Sequence, residues 1–178
     1  MLYIYDSDDK KSLKFDLLGY TIRSIKGKKE MQGFFSLSKN KMDRMRNRIT
    51  KTFEKFDNLL NTAPYDVATH YLFDALHILT CNINLYNAKR GVKVGIFYSN
   101  QLLDNKDGLK GLDKYLGYKC NEISLYGKEA VAQTKQAQIE LILKKQLKQV
   151  SFIKGVEIPH KRYKVNKNRL QMIKQSWK

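Results

Sequence analysis

Side chains with the chemistry to hold a metal ion are densest at Asp6-Ser7-Asp8-Asp9, directly after the β-prone run Leu2 to Tyr5. Two-metal catalysis needs carboxylates that converge on a rigid turn, with a further one from another strand. The run reads better as a solvated turn, and a metal-dependent nuclease built on Asp6, Asp8 and Asp9 is the remote alternative. The histidines are His70, His77 and His160. Seven residues separate the first two, about 10 Å along a helix, too far for one ion. They read as core or interface residues. Asp74 between them could orient an imidazole, but no Ser or Cys nucleophile stands nearby in sequence, so a triad is unsupported. Cys81 and Cys120 sit in apolar contexts without a CxxC or a Cys/His ligand spacing, and read as buried thiols in a reducing cytosol. Gly91, Gly95, Gly108 and Gly111 match neither GxGxxG nor the Walker pattern. These residues assign no catalytic group, no metal site and no cofactor to the chain.

Charge is the stronger signal. Lys and Arg number 34 against 17 Asp and Glu, a formal net charge of +17. Such an excess favours a polyanionic partner, most often nucleic acid. A lysine-rich, AT-rich genome would raise Lys and Asn generally, but it would not gather the basic residues in two segments. The first segment offers Lys39, Lys41, Arg44, Arg48, Lys51 and Lys55 as candidate phosphate contacts, opposed only by Asp43, Glu54 and Asp57. Its field should be strongest over the first three helical turns. A merely solvated charged face is the bland alternative. The second segment, 160–178, carries seven Lys and Arg and no acid, yet keeps Leu170, Ile173 and Trp177 at helical spacing. A docked basic helix fits that pattern. Tyr65, Tyr71, Tyr86, Tyr98, Tyr115, Tyr118 and Tyr126 could stack on bases, though most fall on apolar stripes that point to a core.

Elements that would position these residues follow from periodicity. Residues 13–25 alternate as two strands joined at Gly19-Tyr20, Lys26 to Lys29 form a turn, and Gln32 to Leu37 a further strand. Ser38 is a good N-cap for a helix reaching about Leu60, whose stripe is Met42, Met45, Ile49, Phe53, Phe56 and Leu60. Pro64 opens a second helix over 65–87, with Val67, Tyr71, Leu72, Ala75, Leu76, Leu79 and Ile83 inward. Val92 to Tyr98 reads as a strand or a buried extended segment, 109–116 as a short helix, and Lys128 to Val150 as a third long helix with Val131, Ile139, Ile142, Leu143 and Leu147 inward. The length of 178 residues suits one compact domain, with or without an appendage. No apolar run approaches a membrane span and no signal-peptide pattern begins the chain, so the expected location is the cytoplasm.

The apolar hairpin Leu17-Leu18-Gly19-Tyr20-Thr21-Ile22, then Gly33-Phe34-Phe35-Ser36-Leu37-Ser38 and the cationic helix from Lys39, resembles the end of the palm and the start of the thumb in bacterial reverse transcriptases. Leu17-Leu18-Gly19-Tyr20 stands where that family has Phe-Leu-Gly-aromatic, so the first aromatic is missing. Further likeness to the defence-associated, abortive-infection type lies in Thr80-Cys81-Asn82, Asn84 to Asn87, Val94 to Asn100, Leu112 to Leu116, Ser151 to Gly155 and Met172 to Lys178. The resemblance implies the last third of such an enzyme, ending at its own C-terminus. It implies an α+β, mainly helical fold: a β-hairpin remnant of a palm over 1–37, a helical thumb-like bundle over 38–127, and a C-terminal helical region with a basic tail over 128–178. Leu18, Gly19 and Tyr20 would then form a primer-grip-like hairpin, and the basic helix would hold an RNA–DNA or primer–template duplex by its phosphates. The family's catalytic Tyr-x-Asp-Asp is not reproduced by Tyr5 to Asp9: the residue three before Asp9 is Asp6, and only about eight residues separate the run from the Leu-Gly turn. Mg²⁺ and catalysis would therefore reside in a palm-bearing partner or a missing segment, and this chain, a fragment, a split subunit or a remnant, would be inactive alone. A free-standing basic RNA-binding or interaction protein is the alternative.

Overall fold

In the computed structural model of the chain, residues 14–26, 31–81, 83–85, 92–99, 101–124, 130–157, 161–163 and 165–178 are described. The fold is α+β and mainly helical, opening with a small antiparallel sheet. Strands β1 (Lys14–Leu17), β2 (Tyr20–Lys26) and β3 (Met31–Leu37) lie in the order β1-β2-β3. Register pairs Phe15 with Ile22 and Ile22 with Phe35, and pairs Leu17 with Tyr20 and Tyr20 with Leu37. Six apolar or aromatic side chains therefore share one face, because cross-strand partners point the same way. The helices follow as α1 (Lys39–Thr62), α2 (Tyr65–Thr80), α3 (Ile96–Ser99), α4 (Asp107–Glu122), α5 (Ala130–Leu147), α6 (Phe152–Glu157) and α7 (Lys167–Ser176).

Helices α1 and α2 form an αα-hairpin across Ala63-Pro64, where proline cannot continue the first helix but can begin the second. Met45, Ile49, Phe53, Phe56 and Leu59 of α1 meet Ala68, Tyr71, Leu72, Ala75, Leu76 and Leu79 of α2 in one buried cluster. Leu109, Leu112 and Leu116 of α4, Phe152 of α6 and Ile173 of α7 complete it, and Leu37 joins it to the sheet. A single core thus reaches across all three segments expected from the sequence.

The second sheet is one the sequence reading did not contain. Its strands β4 (Ile83–Leu85), β5 (Val92–Val94) and β6 (Lys161–Tyr163) lie in the order β5-β4-β6, antiparallel to β5 and parallel to β6. The helix expected over 65–87 accordingly ends at Thr80, and Ile83 lies in a strand. The strand expected over Val92 to Tyr98 also breaks early. Gly95 has φ 112°, a turn that L side chains rarely adopt, and α3 starts at Ile96. The short helix over 109–116 is longer than expected, and in α5 only Leu143 and Leu147 of the inward set are buried, while Ile139 and Ile142 are exposed. Leu2 to Tyr5, the Lys26–Lys29 turn beyond Lys26, and the side chain of Val131 lie outside the described residues.

Two joints lock the C-terminal third. Asp113 on α4 accepts from the Ser151 hydroxyl (2.7 Å) and from the backbone N–H groups of Phe152 (2.6 Å) and Ile153 (3.3 Å), capping α6 from another helix. Gly155 then presses its bare backbone on the carbonyl of Thr80, where a Cβ would collide with that oxygen. Gly155→Ala should therefore lower stability by about 2–3 kcal/mol, since the obstacle is backbone rather than a flexible side chain. Urea denaturation of the full chain measures it, and a loss under about 0.5 kcal/mol would show that α6 shifts freely.

Candidate nucleic-acid interface

Burial fixes how α1 is turned. With Met45, Ile49, Phe53, Phe56 and Leu59 inward, residues 41, 44, 48, 51 and 55 recur at steps of three and four, which places them on one flank of the helix. Lys41, Arg44, Arg48, Lys51 and Lys55 make a continuous cationic stripe there. Lys39, grouped with them from sequence, falls about 120–180° away round the axis, on the side of Arg46. Asp43 and Asp57 fall on that far side too: Asp43 pairs with Arg46 at 3.4 Å, and Asp57 lies in the field of Lys119 and Glu122. Glu54, three residues on from Lys51, lies about 60° from it round the axis and borders the stripe's second half. Among the described residues, Arg44, Arg48, Lys51 and Lys55 have no carboxylate within ion-pair distance.

Crowding leaves an electrostatic mark. Half-burial, then the charges of Arg44 and Arg48, hold the Lys41 ammonium below its ordinary pKa. Burial, then Arg44, does the same to the Arg48 guanidinium. Both shifts disfavour the charged form, so a phosphate arriving at the stripe relieves repulsion already present in the fold.

The two basic segments of the sequence meet in space, because α7 packs beside α1 and α2. Arg169 donates its Nε–H to the buried Asp74 carboxylate at 2.6 Å. The hydroxyls of Ser176 and Tyr71 lie 2.8 Å apart, and the Trp177 indole N–H donates to the Thr52 hydroxyl at 2.9 Å. Arg48 sits over the Trp177 ring, 5.2 Å from its centroid. Asp74 therefore serves α7 through Arg169. His70 and His77 each place Nδ1 against the carbonyl four residues earlier, Asp66 and Phe73. Sequence reasoning had not connected Trp177 with Arg48; its only trace was an aromatic at the apolar spacing of a basic segment.

At the start of α1 stands the hairpin. Leu18 (φ 49°) and Gly19 (φ 86°) are both left-handed, the two-residue turn whose twist suits paired strands. Glycine adopts it freely, whereas a leucine there is strained, and Leu18 is also 87% exposed at the tip. The Ser38 N–H donates to the Gly19 carbonyl at 3.0 Å, and the Ser38 hydroxyl accepts from the Lys41 N–H at 3.2 Å. One residue therefore ties the turn and caps the helix. Tyr20 stands edge-on to Phe35, its hydroxyl accepting from the Leu102 N–H at 3.3 Å. Asp104 accepts from the Phe35 N–H at 3.0 Å on the outer edge of β3. Leu18, Gly19 and Tyr20 thus form a rigid, apolar-tipped corner beside the first cations of the stripe.

Other candidates separate. The run Asp6 to Asp9, His160, Tyr86 and Tyr126 lie outside the described residues, and among those described no group of three His, Cys, Asp or Glu could hold a metal. Cys120 is buried and its thiol is pushed up to about 11, whereas Cys81 is half-buried rather than buried. Tyr71 is core, but Tyr65 and Tyr118 are exposed, and Tyr115 shares a 2.7 Å hydrogen bond with Thr50. Among the described residues no helix is long and apolar enough to cross a membrane.

The hairpin makes a paired expectation. Leu18→Asn should raise stability by about 0.5–1 kcal/mol, because asparagine tolerates the left-handed turn. Gly19→Val should lower it by about 1–2 kcal/mol. Chemical denaturation of both variants checks this, and a destabilising Leu18→Asn would mean that Leu18 gains more from contacts than it loses in strain.

Compared with known proteins, the chain matches no family model, no curated protein and no solved structure, so the stripe, the strained corner and the α7 contact are the grounds for a functional reading.

Proposed function

We propose that the chain holds duplex nucleic acid, an RNA–DNA hybrid or primer–template, on the α1 stripe, as the thumb-like part of a reverse transcriptase. The observation that carries this reading is the stripe itself: cations at 41, 44, 48, 51 and 55, with Asp43 and Asp57 turned away. Over those positions α1 rises about 21 Å, close to six base-pair steps of about 3.4 Å. Phosphate contacts of this kind set position without reading sequence. The Leu18-Gly19-Tyr20 corner would meet the primer end, held at a fixed distance from the first cations by Ser38. Catalysis and its Mg²⁺ belong to a palm-bearing partner on this reading, and the setting is phage defence in the cytoplasm. The resemblance of the hairpin and helix to the palm–thumb junction supports this assignment over a free-standing RNA-binding protein, which would need no partner subunit.

If the stripe neutralises about five phosphates, log K for a blunt duplex should fall against log salt with a slope near −4.5. Arg44→Glu with Lys51→Glu should bring the slope to about −2.7 and weaken all sequences alike. Fluorescence anisotropy of a labelled duplex across a salt series measures both. A wild-type slope shallower than −2, or an unchanged slope in the double variant, would refute the assignment. Co-purification with a palm-bearing polymerase subunit separates the thumb reading from its free-standing rival.

A further inference from the structure

Where α7 crosses α1, the stripe runs into a cleft. Its volume is about 440 Å³, and its walls carry Lys41 and Arg48 from α1, Lys174 and Trp177 from α7, and Tyr98 from α3. Met45, Ile78, Leu79, Leu170 and Ile173 supply an apolar floor. Three cations, two aromatic rings and an apolar base in a space of this size match a ligand with one flat ring and one phosphate. Lys41 and Arg48 belong to both the stripe and the cleft, so a strand lying along α1 reaches the opening without leaving positive charge. Arg48 lies over the Trp177 ring, 5.2 Å from its centroid, which joins the stripe's cation to the cleft's aromatic wall.

We propose that this cleft takes the unpaired nucleotide at the end of a strand whose duplex part lies on the α1 stripe. The base enters among Tyr98, Trp177 and Met45, and its phosphate faces Lys41, Arg48 and Lys174. The inference rests on the duplex-binding reading above and adds a second, single-stranded element to the same surface. Charge complementarity alone would accept any polyanion; the aromatic walls are what single out a base. A free mononucleotide offers the same chemistry, but it lacks the stripe contacts that would hold it at the opening.

The chain has one tryptophan, so its fluorescence reports on this cleft directly. The probes are a blunt duplex, the same duplex with a three-nucleotide overhang, a mononucleotide, and heparin, each titrated against the full chain with anisotropy read in parallel for the duplexes. The overhang should quench Trp177 and bind about 5-fold or more tighter than the blunt end, the scale of one stacked base. Blunt duplex and heparin should leave the emission nearly unchanged, and the mononucleotide should need far higher concentration. Lys174→Glu, on an exposed position of α7 outside the stripe, should erase the overhang preference with the indole retained, while blunt-duplex affinity stays within about 2-fold. Equal binding of blunt and overhanging duplexes without quenching overturns the cleft assignment and leaves the duplex reading standing. Quenching by heparin as deep as by the overhang also overturns it, since charge would then suffice. A mononucleotide as effective as the overhang overturns the strand-end occupant. Failure of both duplexes to bind removes the duplex reading and this inference with it.

Discussion

Five cations on one flank of a helix repel one another, and everything around α1 has to hold it in that state. The restraint is hydrophobic. Met45, Ile49, Phe53, Phe56 and Leu59 are buried against α2 and its neighbours, and full burial of each such side chain is worth about 1.5–3 kcal/mol. Like charges about 6 Å apart near a surface cost less than that per pair, because water and salt screen them. Rotating α1 to spread its charges would expose the apolar stripe, so the core sets the direction in which the charges face. Burial first, and the neighbouring cations second, lower the pKa values of Lys41 and Arg48.

Polar contacts then decide how α7 sits. Thr52, Tyr71 and Asp74 are buried on the α1–α2 pair, and each would be costly without a partner. Arg169 from the first turn of α7, and Ser176 and Trp177 from its C-terminal end, supply partners for them. Apolar packing alone tolerates sliding by a turn; three matched polar pairs do not. This fixed seat is what brings Lys174 and Trp177 to the end of the stripe and shapes the cleft there.

Much of this was legible in the sequence, for identifiable reasons. Ser38 before a basic helix, Pro64 between helices and Gly19 between strands are local signals that local geometry obeyed, though the turn falls at Leu18-Gly19, one residue before the expected Gly19-Tyr20. The stripe on α1 could be seen because its apolar positions repeat at 3.6 residues; Lys39 was misplaced because grouping by proximity in sequence ignores rotation. Beyond Thr80 the signals became non-local. Ile83–Leu85 is short, continues the apolar spacing of α2, and is a strand because Val92–Val94 and, from far along the chain, Lys161–Tyr163 pair with it. Gly155 likewise gives no local sign that Thr80 will lie against it. Asp74 gives no local sign of Arg169, a partner 95 residues away.

Those separations have a kinetic meaning. The contacts that seat α7 join residues 95, 105 and 125 positions apart, and β6 pairs in parallel with β4 across a comparable span. Closing loops of that length takes entropy before any contact rewards it, so topology places these steps late and slow in folding. The α1–α2 hairpin and the first sheet need only neighbours in sequence. The basic stripe therefore exists on an early, partly built scaffold, while the Trp177 wall arrives with the last closure. A chain caught between the two stages would carry its full positive field beside an unfilled apolar seam, the condition in which a polyanion or another copy of the chain competes with α7 for the same surface.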